Sequence, residues 1–388
     1  MTGVSGVRAV ALIDGEHYAP VVRDALAALP YEFVGAIMVG GTEKLRAGAD
    51  YGVPLVEGFE RAEVVVDLSD EPVLGPAERF RWISRVLAAG LPYVGADFRF
   101  DPPRFEPFEL PSIAVIGTGK RVGKTAVTGH LARLLDRHGH DVVVVAMGRG
   151  GPAEPEVVEA PPGIDELVQL ARAGRHAASD HLETALLCGV TTIGCRRAGG
   201  GLAGAVFDSN VEQGARLAAA RRPDVVVFDG SGAAIPPVAV DSRVLVVGPA
   251  QDADAYLNTY RRLISDLVVA VNCQVEGAIE ATLRLRATEP LEGRVAVFTA
   301  GGTDVGHLKA DVVHISANLA DREALRRELE GIDADTYLVE IKAAAIDLVA
   351  EHALAHGKRV VAAANDVVAV DGDLDGALLA LLPERVPA

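Results

Sequence analysis

Short apolar blocks recur along the chain, and most are followed by a stretch in which apolar residues return every three or four positions. Val7–Ile13, Phe33–Val39 and Val64–Leu68 read as strands, while Ala19–Leu29 and Ala77–Ala89 carry helical spacing. The pattern restarts with Ile113–Ile116, a helix from Ala126 to about His138, and strands at Val142–Ala146, Asp224–Phe228, Arg243–Val247 and Leu267–Val271. Helices at Arg322–Leu329 and Ala343–His356 and strands at Thr336–Ile341 and Arg359–Ala363 complete the series. Strands alternating with helices predict α/β architecture, with parallel sheets covered on both faces.

Proline divides the series. Pro102, Pro103, Pro107 and Pro111 fall within eleven residues, a density that excludes both helix and central strand. The expected organisation is a Rossmann-like N-terminal domain (1–100), a Pro-rich linker (101–111), a phosphate-loop ATP-binding domain (112–300) and a small α/β C-terminal extension (301–388). The last part reads equally as a third domain or as an extension of either sheet.

The segment Gly117-Thr-Gly-Lys-Arg-Val-Gly-Lys-Thr125 lies between a strand and a helix, the setting a phosphate-binding loop requires. Backbone N–H groups converge there on one point, where the negative charge of a triphosphate can be held. Lys124 is expected on the β and γ phosphates and the Thr125 hydroxyl on Mg²⁺, with Gly117, Thr118, Gly119, Lys120, Arg121, Val122, Gly123 and Ala126 completing the cradle. Thr118 stands where the usual spacing has glycine, and the extra glycine is at 117. This longer loop resembles that of dethiobiotin synthetase and its relatives.

Further chemistry gathers at strand ends, where open parallel sheets collect ligands. Val225–Phe228 followed by Asp229 forms a hydrophobic strand ending in an acid, the usual carrier of a Mg²⁺ carboxylate. An N-cap role for Asp229 is the bland alternative. Arg149, between Gly148 and Gly150, and Arg196 and Arg197, before Gly199–Gly201, predict a second anion site for a phosphorylated acceptor. Asn272 is a candidate adenine contact or a turn asparagine, and the missing Asn-Lys-x-Asp motif favours ATP over GTP. His17, after the first strand, could close the substrate site or lie on the surface.

Composition narrows the partners. A net charge of −17, from 37 basic and 54 acidic residues, argues against nucleic acid and anionic membranes and makes the local basic clusters informative. No apolar run approaches the ~20 residues that span a bilayer. With Cys188, Cys195 and Cys273 forming no Cys-x-x-Cys pair, a cytoplasmic protein with buried thiols is expected.

The combined segments resemble cyclic 2,3-diphosphoglycerate synthetases. The resemblance rests on Ile116–Thr125, Met147-Gly-Arg-Gly-Gly-Pro152, Val190-Thr-Thr-Ile-Gly-Cys-Arg-Arg-Ala-Gly-Gly-Gly201, Asp229-Gly-Ser-Gly-Ala-Ala-Ile-Pro-Pro237 and Leu12-Ile-Asp-Gly-Glu-His17. It departs in having Asp at 229 where Glu is expected, and in a chain shorter than the methanogen enzymes. It implies ATP-dependent closure of 2,3-diphosphoglycerate to a cyclic anhydride, releasing ADP and phosphate. Lys120, Lys124, Arg149 and Asp229 would be catalytic, and His17, Arg149, Arg196 and Arg197 would bind substrate. Mg²⁺ would be held by Thr125 and Asp229, with K⁺ as an activator and a homodimer as the assembly. The rival readings are a nucleotide-dependent metallochaperone of a related phosphate-loop fold, an ATP-sensing regulator, and a kinase or ligase for another phosphorylated acid.

Overall fold

The computed structural model describes residues 6–172, 180–250, 252–299, 304–319, 321–340 and 346–384. The elements run β1 (Arg8–Ile13), α1 (Ala19–Ala28), β2 (Glu32–Met38), β3 (Val64–Asp67), α2 (Pro76–Ala88), β4 (Tyr93–Val94), β5 (Arg99–Phe100), β6 (Ser112–Gly117), α3 (Lys124–Arg137) and β7 (Val142–Gly148). Next come β8 (Glu156–Val158), α4 (Ile164–Arg172), α5 (Asp180–Cys188), β9 (Thr191–Ala198), β10 (Asp208–Ser209), α6 (Val211–Arg221), β11 (Val225–Asp229), β12 (Ser242–Val247) and α7 (Asn258–Leu263). The remainder is β13 (Leu267–Val271), β14 (Ile279–Ala287), β15 (Arg294–Phe298), β16 (Asp311–Ser316), α8 (Arg322–Leu329), β17 (Thr336–Glu340), α9 (Ile346–Ala355), β18 (Arg359–Ala369) and α10 (Leu374–Leu379). Residues 343–345, which open the helix expected from Ala343, lie outside the described residues.

The chain packs as two compact units, Met1–Pro103 with Asp252–Ile264, and Arg104–Gln251 with Ser265–Ala388. In the first, the sheet order is β2-β1-β3-β4-β5, parallel except for the β4–β5 pair. Ala11 and Ile13 of β1 pack on Val22 and Leu26 of α1, while Ala9 joins Val64 and Val66 in a separate cluster. These three residues lie on one face of β1, and Val10 and Leu12, on the other face, are buried as well, as in a strand covered on both sides. Helix α7 belongs to this unit, where Tyr256, just before it, meets Phe80 of α2 edge to face at 5.6 Å.

The second unit carries one long sheet in the order β10-β9-β7-β11-β6-β12-β13-β14-β18-β17-β15-β16, with β8 pairing β9. From β9 to β14 the strands are parallel. The antiparallel β14–β18 pair then joins a second parallel set, β18-β17-β15-β16, built from the residues after 290. Of the alternatives open for the C-terminal part, the pairing is that of an extension of this sheet. Central strand β6 is buried throughout, with Ile113 and Val115 against Val127, Leu131 and Leu135 of α3. Each such side chain contributes roughly 1.5–3 kcal/mol on burial, which fixes α3 over β6 and sets the loop between them. Among the described residues, no helix is long and apolar enough to cross a membrane.

Candidate active site

The β6–α3 loop is built around Gly117. A Cβ there would lie 2.8 Å from Lys124 Cδ and 2.9 Å from Val122 Cγ2, so the lysine stem can fold back over the strand end only if this position is glycine. The displaced glycine of the longer loop thereby gains a packing reason. Helix α3 begins at Lys124 rather than Ala126, which puts Lys124 and Thr125 in its first turn, where the helix dipole favours an anion. Its N-cap, Gly123, has φ 97°, and a Cβ there would meet Val271 at 3.1 Å. Arg121 also adopts a left-handed conformation, φ 59°. Such a residue costs about 1–3 kcal/mol and marks a loop constrained by its function.

Lys124 is buried, and its Nζ donates to the Gly119 carbonyl at 3.3 Å. The Thr118 hydroxyl is buried without a hydrogen-bond partner among the described residues, a donor that a phosphate oxygen would satisfy. Lys120 and Arg121 are exposed at the loop tip. The orphan hydroxyl, the buried lysine and the helix N-terminus together fit a nucleotide phosphate.

Asp229 ends β11 beside β6, in register with Val115, and is only 5% exposed. Its Oδ1 accepts a hydrogen bond from Thr128 Oγ1 at 3.1 Å. Thr128 lies one turn beyond Thr125 on α3, so the carboxylate is held against the loop's own helix. An oxygen donor set of this kind suits Mg²⁺.

Arg149 follows β7 and Arg197 lies within β9, not in a loop after a strand end. Their guanidiniums converge on Gly232, where a Cβ would lie 2.7 Å from Arg149 Nη2 and 3.5 Å from Arg197 Nη2. Gly232, at φ 62°, is therefore required twice, by its backbone and by the close approach of both arginines. Arg197 is anchored, with Nη2 donating to the Ser231 carbonyl at 2.8 Å and Nη1 to the Gly199 carbonyl at 2.6 Å. Arg149 is exposed and carries no hydrogen bond or ion pair among the described residues. Arg196, the neighbour of Arg197 on the strand, is exposed and turns to the other side of it. The two adjacent arginines are thus not equivalent.

Asn272 has φ 54°, and its Oδ1 accepts from Thr282 Oγ1 at 2.8 Å. His17 lies in the N-terminal unit, where its Nδ1 is 2.8 Å from Asp14 Oδ1. Asp14 is fully buried. Burial alone would raise its pKa, but hydrogen bonds from the Asp70 and Glu16 backbone and from His17 prevail and hold it below the usual carboxylate value. Three contributors went unnoticed in the sequence: Thr128, Ser231 and Asn210. Asn210 accepts from the Arg196 backbone N–H at 2.7 Å and donates to the Pro152 and Ala153 carbonyls, both at 3.1 Å, which ties β9 to the loop after β7. Only Thr128 had a readable signal, its helical spacing from Lys124.

The fold and loop define a phosphate-loop α/β protein with a nucleotide-binding site between β6 and α3. Family models for cyclic 2,3-diphosphoglycerate synthetase match the N-terminal domain at residues 8–101, the P-loop domain at 112–286 and the C-terminal domain at 305–366. Relatives of that name include those of Rubrobacter xylanophilus, 49% identical over 97% of both chains, Methanothermus fervidus, 37% over 95% of both, and Pyrococcus horikoshii, 40% over 91% of both. The chain belongs to the cyclic 2,3-diphosphoglycerate synthetase family, and it is an enzyme of that family.

Proposed function

We propose that the protein closes 2,3-diphosphoglycerate into cyclic 2,3-diphosphoglycerate at the expense of ATP, releasing ADP and phosphate. The observation that carries this reading is the convergence of Arg149 and Arg197 on Gly232, in the turn directly after Asp229. An anion pocket on the same turn as the candidate metal carboxylate suits a phosphorylated acceptor beside a nucleotide.

In the first step, an oxygen of one substrate phosphate attacks the γ-phosphorus of ATP and the bond to ADP breaks. In the second, an oxygen of the other substrate phosphate attacks the phosphorus of the phosphate that received the group. The new anhydride closes the ring, and the transferred phosphoryl leaves as inorganic phosphate. Unit charges ~4 Å apart repel by about 4 kcal/mol at an effective dielectric near 20. Neutralising and positioning the phosphates therefore dominates, as it does in phosphoryl transfer generally.

Lys124 neutralises the β and γ phosphates, and Lys120 and Arg121 on the exposed tip serve the same charge. Thr125 and Asp229 would hold Mg²⁺, which would help neutralise the phosphate charge; K⁺ is a proposed activator. Arg149, without a protein partner among the described residues, takes a substrate phosphate, with Arg197 fixed beside it. The same reading takes Asn272 as the adenine contact and a homodimer as the assembly.

The test incubates the protein with ATP, Mg²⁺, K⁺ and 2,3-diphosphoglycerate and follows ³¹P NMR. A pyrophosphate signal replacing both monoesters, with matching ADP, supports the reaction. Unchanged monoesters with acceptor-independent ATP loss reject it.

A further inference from the structure

A cleft of about 390 Å³ opens in the C-terminal part of the second unit, lined by the end of β14 and by residues before β15 and β16. None of its lining residues belongs to the phosphate loop or to the turns that carry Arg149 and Arg197. Its volume lies in the range of small-molecule sites.

Side chains alternate across β14, so Leu283 and Leu285 enter the core while Arg284 and Arg286 face the other way together. Both arginines line the cleft, and Lys309 and His307 line it from the segment before β16.

Charge accounting decides what the cleft attracts. Of its two carboxylates, Glu289 is engaged by Arg359 Nη2 at 2.8 Å. Asp366 Oδ1 takes both Arg286 Nε at 3.0 Å and Arg133 Nη2 at 3.4 Å, so one carboxylate faces two guanidiniums. Burial, and after it the neighbouring Arg286, holds Arg133 below the usual arginine range. Arg284 and Lys309 have no hydrogen bond or ion pair among the described residues. Two uncompensated cations, in a chain of net charge −17, line one concave wall. A phosphate monoester carries about two negative charges at neutral pH and matches them, whereas a single carboxylate does not. Leu291 and Leu308, only partly buried in the same lining, give an apolar surface for a carbon skeleton.

We propose that this cleft is a second anion site, which binds a small phosphorylated organic molecule and is separate from the nucleotide and acceptor sites. Arg284 and Lys309 take the phosphate, and Arg286 is kept in place by Asp366.

The test is calorimetric titration with glycerol 3-phosphate as the probe. The background is a Lys124→Ala/Arg149→Ala protein, which removes the sites assigned to nucleotide and acceptor. One equivalent of probe should still bind. Adding Arg284→Ala and Lys309→Ala should weaken that binding by about tenfold or more, as loss of hydrogen bonds to a charged group requires. Both side chains are exposed, so an unchanged melting temperature is expected for the variant. Absence of binding in the Lys124→Ala/Arg149→Ala background, or equal binding after the second pair of substitutions, overturns the proposal. Because the readout is binding rather than turnover, failure here leaves the cyclisation reading intact, and failure of cyclisation leaves this site intact.

Discussion

Thr128 Oγ1 donates to Asp229 Oδ1 at 3.1 Å, joining the phosphate-loop helix to the end of a strand 101 residues further along the chain. Both groups are buried, with Thr128 fully inside. Thr128→Val keeps the shape but removes the donor and leaves a buried carboxylate short of a partner. A loss of about 1–3 kcal/mol is expected from urea unfolding, together with a higher Mg²⁺ requirement for turnover. Unaltered metal dependence would show that this hydrogen bond has no part in holding the ion.

Arg149 and Arg197 share Gly232, but only Arg197 is tied to the protein backbone. Arg149→Ala should therefore reduce cyclisation by a hundredfold or more, on the order of 3 kcal/mol in the transition state, without disturbing the fold or ATP affinity. Arg197→Ala should lower activity and also loosen the Ser231 turn, seen as a lower melting temperature. An equal loss of nucleotide affinity in Arg149→Ala would reject its role toward the acceptor.

Asp14 is the group in the N-terminal unit for pH to test. Its folded pKa lies below the ordinary value of 3.8, so its charged form stabilises the fold above that pH, and the contribution fades as pH falls through the lower folded value. Asp14→Asn should be less stable than the parent at pH 7, and the gap should narrow below pH 3.8. Parallel stability curves for the two proteins across the acid range would contradict this.

Burial pushes Cys188 and Cys195 up to about 12, from an ordinary 9, and Cys273 shifts the same way while remaining partly exposed. At pH 8 a thiol reagent should label Cys273 in the native protein and reach the other two only after unfolding. The unfolded thiols ionise near 9, so the stability these two groups contribute is present below that pH and is lost between about 9 and 12. Rapid native labelling at Cys195 would show that its packing against Gly214 opens readily.

Local pattern was enough for the α/β class, for most strands and for the phosphate loop, because strand periodicity and loop chemistry are written in neighbouring residues. It puts Lys124 and Thr125 just before a helix that begins at Lys124, and Asp229 just after a strand that ends with it. Strand β14 was missed, since its Arg284 and Arg286 alternate with leucines in a strand that is apolar on only one face. Arg196 and Arg197 read as lying at a strand end, whereas both lie within β9. Nothing in Asp252–Ile264 marks it as packing with the N-terminal residues.

By itself the sequence determined which chemistry was available: a loop that can hold phosphates, an acid at a strand end, and arginines among glycines. Only the tertiary structure decided which groups meet. It brought Arg149 and Arg197 together at Gly232, set Thr128 on Asp229, and left Arg284 and Lys309 uncompensated beside an apolar wall. Each of these depends on strand order, and strand order follows from how buried faces pack across the whole chain rather than from any neighbouring residues.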